Sequence, residues 1–439
     1  MPIPQYSVGI YTLGCKVNQY ESEAIAERFS ALGFCVLPPT DPCDVYVINT
    51  CTVTAESDRK ARQFIRRAIK QNPKAYVLVT GCLSQTQPEQ IHRIRGVDYI
   101  CGNADKLSVV KEAVRLCQGG RKRDNATVHA LPPDANGFEC MQISHFDRTR
   151  AYVKIEDGCE NHCTYCIIPT ARGSVRSKAP EEVLAEVRKL SESGCREVVL
   201  TGIETASYGR DLTDCTLADL LERVDGIPQI GRVRLGSLDP SLMKQAFVDK
   251  IAALRSLTPH FHLSMQSGSD RILALMKRKY NRRMALEGMQ RLRQAMPEVQ
   301  FTTDIIVGFP GETDEDFAQT LAFAKEARFL MIHVFPYSKR LGTPAATMPM
   351  QVDEAVKHER VRILSAAQER IRAEILAEQH GKTIPVLFES YHDGIASGHT
   401  PSFIEVACTS PVPLNNQILP IFIHGNDGTR CFGQVSDSP

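Results

Sequence analysis

Three cysteines in the loop sequence GCENHCTYC constrain this chain more than any other feature. Cys159, Cys163 and Cys166 follow the spacing CxxxCxxC. Thiolates at this spacing on a short loop can hold three irons of a cubane cluster and leave the fourth iron without a protein ligand. The same offsets also recur on one face of a helix, so three buried structural cysteines are the alternative. Gly158, the polar residues between the cysteines and Pro169 disfavour a helix, so the loop predicts an iron-sulfur site with an open position for substrate.

Length and composition set the limits of the fold. A chain of 439 residues is too long for one ordinary core and predicts two to four domains. A net charge of +1 excludes a globally basic polyanion binder, so any nucleic-acid surface must be local. No apolar stretch reaches the length of a membrane span, and the start of the chain lacks the regions of a signal peptide. We therefore expect a cytoplasmic protein that does not act at a membrane, and the 15 cysteines indicate a reducing compartment with metal chemistry rather than a disulfide scaffold.

Residues 1–117 alternate short apolar runs with amphipathic stretches, which predicts a doubly wound parallel α/β sheet. Cys15, Cys51 and Cys82 each come directly after one of the predicted strands. Because the carboxyl ends of strands in an open α/β sheet form a crevice, we expect these cysteines to converge there and to permit a second cluster. Alternatively, each is a small buried residue, as free cysteine often is. The other nine cysteines are interpreted in this structural way: Cys35, Cys43, Cys101, Cys117, Cys140, Cys195, Cys215, Cys408 and Cys431.

The rest of the chain divides into a linker and two further domains. Residues 118–148 contain Gly and Pro pairs and weak periodicity, which is typical of a linker. Residues 149–380 contain six strand-helix units, which predict a partial (β/α)6 barrel with its chemistry at the carboxyl ends of the strands. Short apolar runs between turn residues in 381–439 predict a small five-stranded β-barrel. The predicted fold class is therefore α/β, with a β-barrel at the end of the chain.

The central sequence resembles the radical S-adenosylmethionine (SAM) core. The whole chain resembles the radical SAM methylthiotransferases, in which a cluster-binding domain precedes that core and a small RNA-binding barrel, the TRAM domain, follows it. The matching sequences are TLGCKVNQYES, NTCTV, TGC, KIEDGCENHCTYCIIPTARG, VLTG, HLSMQSGSDRIL, DIIVGFPGETDEDF and HVFPYSKRLGTPAATM. The resemblance implies SAM and two 4Fe-4S clusters as cofactors. It implies that the CxxxCxxC loop holds the SAM-cleaving cluster and that Cys15, Cys51 and Cys82 hold a sulfur-donating one.

The resemblance also implies how SAM is used. In such enzymes SAM chelates the open iron, and an electron delivered through the cluster cleaves it to methionine and a 5′-deoxyadenosyl radical. Glycines can let the backbone approach SAM, although each also fits a simple turn, and polar side chains near strand ends can bind SAM or the target base. The predicted contacts are Tyr165, Thr201, Gly202, Ser237, Gln266, Ser267, Asp304 and Gly308. The sequence IETA after VLTG departs from the family pattern, which leaves Glu204 as either a peripheral substitution or a pocket contact.

The motifs KVNQYES and HVFPYSKRLGTPAATM resemble the branch that acts on N6-threonylcarbamoyladenosine beside the tRNA anticodon. They resemble less the branch for isopentenyladenosine and the branch that modifies a ribosomal-protein aspartate. The implied reaction removes hydrogen from C2 of the adenine, inserts sulfur from the N-terminal cluster and methylates it with a second SAM. The implied partners are the tRNA anticodon loop, an electron donor and a sulfur source, of which the last two are not identified by the sequence.

Two alternative functions, from other classes of protein, are also considered. A non-catalytic iron-sulfur protein that binds RNA would keep the same cysteines and the same barrel. A dinucleotide-binding oxidoreductase would explain the N-terminal alternation, but no GxGxxG follows a strand there.

The net charge of the C-terminal segment does not show where RNA would bind. Residues 381–439 carry two basic and five acidic side chains, a net charge of −3, whereas RNA-binding surfaces are usually basic. Two basic segments elsewhere are therefore candidates for RNA contact, and each could instead be a solvated face. The helix after Cys51 carries Arg59, Lys60, Arg62, Arg66, Arg67 and Lys70. The second segment carries Lys277, Arg278, Lys279, Arg282 and Arg283.

Overall fold

The computed structural model of the chain describes residues 6–119, 125–146 and 149–436. In chain order they form a six-stranded parallel sheet, a partial barrel of parallel strands and a closed five-stranded barrel. The predicted α/β fold class, with a doubly wound sheet, a central partial (β/α)6 barrel and a small β-barrel, is confirmed. Among the described residues, no helix combines the length and the apolar character needed to cross a membrane.

The N-terminal sheet has the strand order β2-β1-β3-β4-β5-β6. Its strands are β1 (Ser7–Thr12), β2 (Cys35–Leu37), β3 (Val45–Thr50), β4 (Tyr76–Gly81), β5 (Tyr99–Cys101) and β6 (Thr127–His129). Its helices are α1 (Lys16–Ala31), α2 (Ala55–Gln71), α3 (Cys82–Thr86), α4 (Pro88–His92) and α5 (Ser108–Cys117). Apolar residues of α1 and α5 pack on one face of the sheet and those of α2, α3 and α4 on the other. All six residues of β3 are buried, as expected for a central parallel strand covered on both faces.

The segment 118–148 is more ordered than a linker in the parts that the structure describes. Thr127–His129 forms β6, which pairs with β5 and completes the sheet. Met141 and Ile143 are buried in the core of the central barrel, and the Glu139 carboxylate accepts hydrogen bonds from two backbone N–H groups at the start of α5. A three-residue strand is too short to give a periodic signal, so the sequence pattern missed it.

The central barrel is built from six strand positions in parallel array. Its strands are β7 (Arg150–Lys154), β10 (Glu197–Thr201), β11 (Arg232–Leu235), β12 (Ser237–Leu238), β13 (His260–Gln266), β14 (Gln300–Val307) and β15 (Met331–Pro336), with a short pair β8 (Glu156–Asp157) and β9 (Arg176–Ser177) beside the cysteine loop. Its helices are α6 (Ile168–Arg172), α7 (Pro180–Glu192), α8 (Leu217–Asp225), α9 (Gln245–Ala252), α10 (Asp270–Leu275), α11 (Arg282–Ala295), α12 (Asp314–Ala327) and α13 (Glu354–Ala377). β11 and β12 occupy one strand position, interrupted at Gly236, where an added Cβ would lie 3.2 Å from Thr201 Oγ1.

The C-terminal barrel closes in the order β16-β17-β18-β20-β19. Its strands are β16 (Thr383–His392), β17 (Ile395–His399), β18 (Glu405–Thr409), β19 (Ile418–Asn426) and β20 (Cys431–Val435). It packs against the amino ends of the central strands, where the Glu389 carboxylate accepts from Arg150 at 2.9 Å. Arg232 and Arg234 donate to the backbone carbonyls of Pro385 and Pro401. The barrel therefore covers the end of the central domain opposite to the cysteine loop.

A buried ion cluster joins the N-terminal sheet to the central barrel. Glu21 on α1 accepts from Lys154 and Arg172, each at 2.8 Å, and from Lys106. Asp157 pairs with the same Arg172 at 3.1 Å. All five side chains are at most 4% exposed, so each charge depends on its partners rather than on water.

Replacement of Glu21 tests how strongly this cluster holds the two domains together. Glu21→Gln leaves three buried cations without their shared carboxylate, and such an uncompensated charge costs about 3–5 kcal/mol. We expect this loss in the free energy of unfolding, measured by denaturant titration. The control is Glu56→Gln, which removes an exposed ion pair with Arg59 and should change stability little. Equal, small effects of the two substitutions would contradict the assignment.

Candidate functional site

A cavity of about 310 Å³ lies at the carboxyl ends of the central strands. Cys159, Cys163 and Cys166 form one wall of it. The remaining lining combines polar and apolar side chains, including Tyr165, Ile203, Glu204, Ser264, Gln266, Arg278, Asp304, Ile306 and Phe335, and two residues of the N-terminal domain, Val53 and Thr54. The cavity is therefore shared between the first two domains.

The cysteine loop is irregular, as Gly158 and Pro169 predict. Gly158 has a φ of +90°, and a side chain there would clash with the carbonyl oxygen of Ser174. His162 adopts the left-handed region at a φ of 47°. Regular helix begins only at α6, after the last cysteine. This conformation turns the three thiols toward the same cavity instead of along a helix.

The environment of the three thiols fits a cationic iron cluster. Burial raises the pKa of the Cys159 and Cys166 thiols to about 12, so the free side chains are neutral. A metal-bound thiol is deprotonated by the metal, which removes the cost of an isolated buried thiolate. Arg278 Nη1 lies 3.2 Å from Cys163 Sγ and can stabilise negative charge on that sulfur. Three thiols and one guanidinium match a cluster that has three protein ligands.

A second group of thiols lies at the edge of the N-terminal sheet. Cys15 follows β1, Cys51 follows β3 and Cys82 begins α3 directly after β4. These strands are neighbours in the sheet, and Cys51 lies within electrostatic reach of both other cysteines. Gly14 has a φ of +101°, and a Cβ there would lie 2.8 Å from Cys51 Sγ. Only glycine lets the turn before Cys15 approach Cys51 so closely.

The surroundings of this second group also suit thiolates. Burial raises the pKa of the Cys51 thiol to about 11. The guanidinium of Arg172 interacts with Cys15 and Cys82, and Asn103 Nδ2 lies 3.6 Å from Cys82 Sγ. Cys15 is exposed, whereas Cys51 and Cys82 are buried. The donor set therefore fits a second cluster with one accessible side.

The two groups of cysteines lie near each other. The segment after Cys51 contributes Val53 and Thr54 to the cavity that the central cysteines line. Cys166 lies within electrostatic reach of Cys82. From the central domain, Arg340 donates to Asp58 at 2.6 Å, which fixes the start of α2 beside the cavity. A substrate in the cavity would therefore lie between the two groups.

The predicted SAM contacts divide into two sets. Tyr165, Gln266 and Asp304 line the cavity. The other five are not among its lining residues: Thr201, Gly202, Ser237, Ser267 and Gly308.

Packing within the protein explains why glycine is needed at positions 202 and 308. A Cβ on Gly202 would lie 2.5 Å from Glu156 Oε2, and a Cβ on Gly308 would clash with the side chain of Lys357. The need for glycine at both positions has a cause in the protein itself, whereas the sequence analysis ascribed it to SAM.

The structure corrects the prediction that Arg278, in the basic segment 277–283, contacts RNA. Its side chain is only 6% exposed and pairs with Asp239 at 3.1 Å, so it belongs to the cavity wall and not to an outer RNA-binding face. Lys277, Lys279 and Arg283 are exposed, and Arg282 is partly exposed. The run of like charges gave no sign of this division, because burial of one member depends on partners distant in sequence.

Sequence reasoning left Glu204 open, and the structure places it in the cavity wall. Asn161 Nδ2 donates to Glu204 Oε2 at 2.9 Å, and the Glu204 backbone N–H donates to Glu156 Oε2 at 2.8 Å. Neither Asn161 nor Glu156 was predicted, although both lie in the KIEDGCENHC motif. The departure from the family pattern at IETA was the one signal for Glu204.

Comparisons with known proteins agree with this geometry. Residues 153–324 match the family model described as Radical SAM superfamily, and residues 7–102 match Uncharacterized protein family UPF0004. Among solved structures, the radical S-adenosylmethionine methyltransferase TsrM from Kitasatospora setae superposes with a TM-score of 0.57 at 14% identity, covering 84% of this chain and 89% of that chain. Fold and site thus define a radical SAM enzyme.

Curated relatives show which kind of radical SAM enzyme the chain resembles. The chain is 40% identical to threonylcarbamoyladenosine tRNA methylthiotransferase MtaB of Bacillus subtilis (strain 168), over 91% of this chain and 90% of the relative. It is 37% identical to the protein of the same name from Aquifex aeolicus (strain VF5), over 87% and 92%. It is 35% identical to tRNA-2-methylthio-N(6)-dimethylallyladenosine synthase of Pelotomaculum thermopropionicum, over 95% and 94%. The chain belongs to the radical SAM tRNA methylthiotransferase family.

The Glu204 carboxyl offers a test of the cavity's electrostatics in the protein without cofactors. Burial and the nearby Asp239 raise its pKa to about 7. The neutral form is favoured in the folded state, so this group should make the folded state less stable as the pH rises from about 4.5 through 7. Relative to Glu204→Gln, wild type should lose about 2–3 kcal/mol of unfolding free energy between pH 5 and pH 8. A difference between the two proteins that does not change with pH would contradict the raised pKa.

Proposed function

We propose that this enzyme adds a methylthio group to C2 of N6-threonylcarbamoyladenosine beside the anticodon of tRNA. The observation that carries the proposal is the presence of two cysteine triads from different domains, one lining the cavity and the other near it, in a chain with several curated relatives named for this substrate. One triad suffices for a radical SAM enzyme. A second one near it provides a place for a sulfur donor.

We assign the two triads different roles. When bound, SAM and two 4Fe-4S clusters supply radical chemistry, the methyl group and the sulfur, while the protein supplies binding and orientation. Cys159, Cys163 and Cys166 would hold the cluster that binds SAM, because they line the cavity itself. The second triad, with its exposed Cys15, would hold the sulfur-donating cluster.

The remaining cavity residues bind, orient and exclude water. Arg278 balances charge at Cys163 and is itself held by Asp239. Glu204, held by Asn161, presents a carboxylate that suits a cationic group such as an ammonium or a sulfonium. Apolar side chains, among them Ile203, Ile306 and Phe335, keep water from the reacting atoms, which limits side reactions.

Helix α2 offers the positive surface that an RNA backbone needs. It begins directly after Val53 and Thr54 of the cavity wall. Its outer face carries the exposed Arg66, Arg67 and Lys70, and Arg66 and Lys70 line a groove with Arg93 and Arg95. Phosphate contacts are made mainly by such side chains. We place the tRNA backbone along α2, which would bring an unstacked anticodon-loop base to the cavity.

A second candidate substrate is isopentenyladenosine in the same tRNA position. The relatives named as dimethylallyladenosine synthases, at 35% identity over most of the chain, favour it over a protein substrate. The reaction also needs a one-electron donor and a sulfur source, which we assign to separate cellular proteins. A tRNA substrate implies action in the cytoplasm.

Replacement of each triad separates the two roles. Protein with Cys159, Cys163 and Cys166 changed to Ala should retain about half the iron of reconstituted wild type and form no 5′-deoxyadenosine, because each triad accounts for one of two clusters. Protein with Cys15, Cys51 and Cys82 changed to Ala should also lose about half the iron and still cleave SAM without transferring sulfur. Iron analysis reports the number of clusters, and chromatography of nucleosides reports 5′-deoxyadenosine and the methylthiolated product.

A buried cysteine outside the triads provides the control. Cys101→Ala in the same sheet should keep full iron and activity. Normal methylthiolation by the N-terminal triple variant would refute the division of roles.

Substrate choice is tested by offering purified, reconstituted enzyme two tRNAs that differ only in the substituent on N6. A site that hydrogen-bonds a polar substituent leaves its own groups unpaired with an apolar analogue, so kcat/KM should differ by a factor on the order of 10⁴ in favour of the threonylcarbamoyl tRNA. Mass analysis of the nucleosides reports the product. Preferential turnover of the isopentenyl tRNA would transfer the assignment to the second candidate.

A further inference from the structure

A group of three polar side chains, which we call the recess, lies at the inner end of the cavity, and one of them, Asp304, also lines the cavity. His262, Asp304 and His333 stand on the neighbouring strands β13, β14 and β15, and each places one nitrogen or oxygen within 4.8 Å of the others. Side chains two residues apart on a strand share a face. Ser264 and Ile306, which follow His262 and Asp304 by two residues, line the cavity. The recess therefore continues the cavity one layer deeper into the barrel.

Hydrogen bonds within the barrel fix the orientation of His262 and Asp304. Thr302 Oγ1 lies 3.0 Å from His262 Nδ1, which turns His262 Nε2 toward Asp304 Oδ2, 3.3 Å away. The rings of His262 and His333 are 6.0 Å apart between centroids. Asp304 is thus already paired with one of the two histidines, while His333 is exposed to the recess.

Lys16 reaches the same recess from the N-terminal domain. It is the first residue of α1 and follows Cys15. Its side chain is within electrostatic reach of Asp304 and of His333. Lys16 is exposed, and within the described chain neither Lys16 nor His333 has a hydrogen-bond or ion-pair partner. Lys16 and His333 therefore face a space whose carboxylate, Asp304, already pairs with His262.

Positive charge in the recess is not balanced by its neighbours. Arg150 and Arg234 also lie within electrostatic reach of Lys16. Both arginines pair with the same carboxylate, that of Glu197, Arg150 at 2.6 Å and Arg234 at 2.7 Å. Asp304 is engaged with His262. A ligand that carries a carboxylate would supply a further acceptor for Lys16 and His333, and hydrogen bonds to an ionised group are stronger than those between neutral groups.

We propose that Lys16 and His333 bind the carboxylate of the N6 substituent and determine substrate specificity, with Asp304 accepting from the hydroxyl or a ureido N–H of the same substituent. The inference rests on the proposed function, since the threonylcarbamoyl group carries these polar groups and the isopentenyl group carries none. Asp304 lines the cavity and Lys16 follows Cys15 in the chain, so a base held by its substituent would have its ring in the cavity.

A divalent metal ion is the competing occupant, because two imidazoles and one carboxylate can ligate one. A positive charge on Lys16, which lies within electrostatic reach of Asp304 and His333, argues for an anion instead, since it would repel a cation. Metal analysis distinguishes these occupants.

The test compares two anticodon stem-loop RNAs, one with the free acid of the threonylcarbamoyl group and one with its neutral methyl ester. Dissociation constants are measured with reconstituted wild type, Lys16→Met and His333→Phe. Wild type should prefer the acid, and each variant should lower that preference about 10- to 100-fold, the range for one hydrogen bond to a charged group. Because each ratio compares two RNAs on the same protein, a general loss of folding affects both RNAs alike.

A matched control and three outcomes complete the test. Lys189→Met changes an exposed lysine on α7, outside the recess and outside α2, and should leave the preference for the acid unchanged. Unaltered preference in both Lys16→Met and His333→Phe would overturn the proposal. Stoichiometric binding of a divalent ion that is lost in His333→Phe would overturn it in favour of a metal site. If wild type prefers the acid but does not convert it, recognition by the recess stands and the proposed reaction fails.

Discussion

The pairing of Arg172 with Glu21 determines how the two cysteine triads are placed. Arg172 ends the short helix that follows Cys166, and Glu21 lies on the helix that follows Cys15. Their contact at 2.8 Å is completely buried, so neither charge can be satisfied by water. Because removing one partner from a buried pair is far more costly than losing a surface pair, the two domains are held in one arrangement. That arrangement gives one cavity, lined by the central triad and by Val53 and Thr54, which follow Cys51 of the N-terminal triad.

The C-terminal barrel has a structural role that its charge already suggested. It closes the amino end of the central barrel, where Phe403 stacks on His260 with ring centroids 4.7 Å apart. The guanidinium of Arg234 lies 4.9 Å from the centre of the same ring. Deletion of residues 381–439 would therefore expose arginines of the central domain that the barrel now covers. Reduced tRNA binding after such a deletion would not by itself assign the barrel to RNA, whereas α2 can be tested by surface substitutions.

Local pattern and topology were sufficient to predict the fold class and most of the longer strands, although the short strand β6 was missed. Cys15, Cys51 and Cys82 were expected to converge because strand ends in a parallel sheet share one edge, and the structure has them at that edge. The buried ion cluster could not be predicted, since Glu21 and Arg172 are 151 positions apart and each looks like an ordinary charged residue. The same limit explains Arg278, whose burial depends on Asp239 and Cys163. The roles of Gly202 and Gly308 were obscured because a glycine shows that space is short but not which atoms take it.

Magnetic coupling between the two clusters tests the central claim most directly. If both triads hold 4Fe-4S clusters and face one cavity, reduced wild-type protein should show the split or broadened electron paramagnetic resonance of two interacting spins. Each triple-alanine variant should show the simple spectrum of one isolated cluster. Two independent, unbroadened signals in the wild type would contradict the account, because the triads would then be too far apart to serve one substrate.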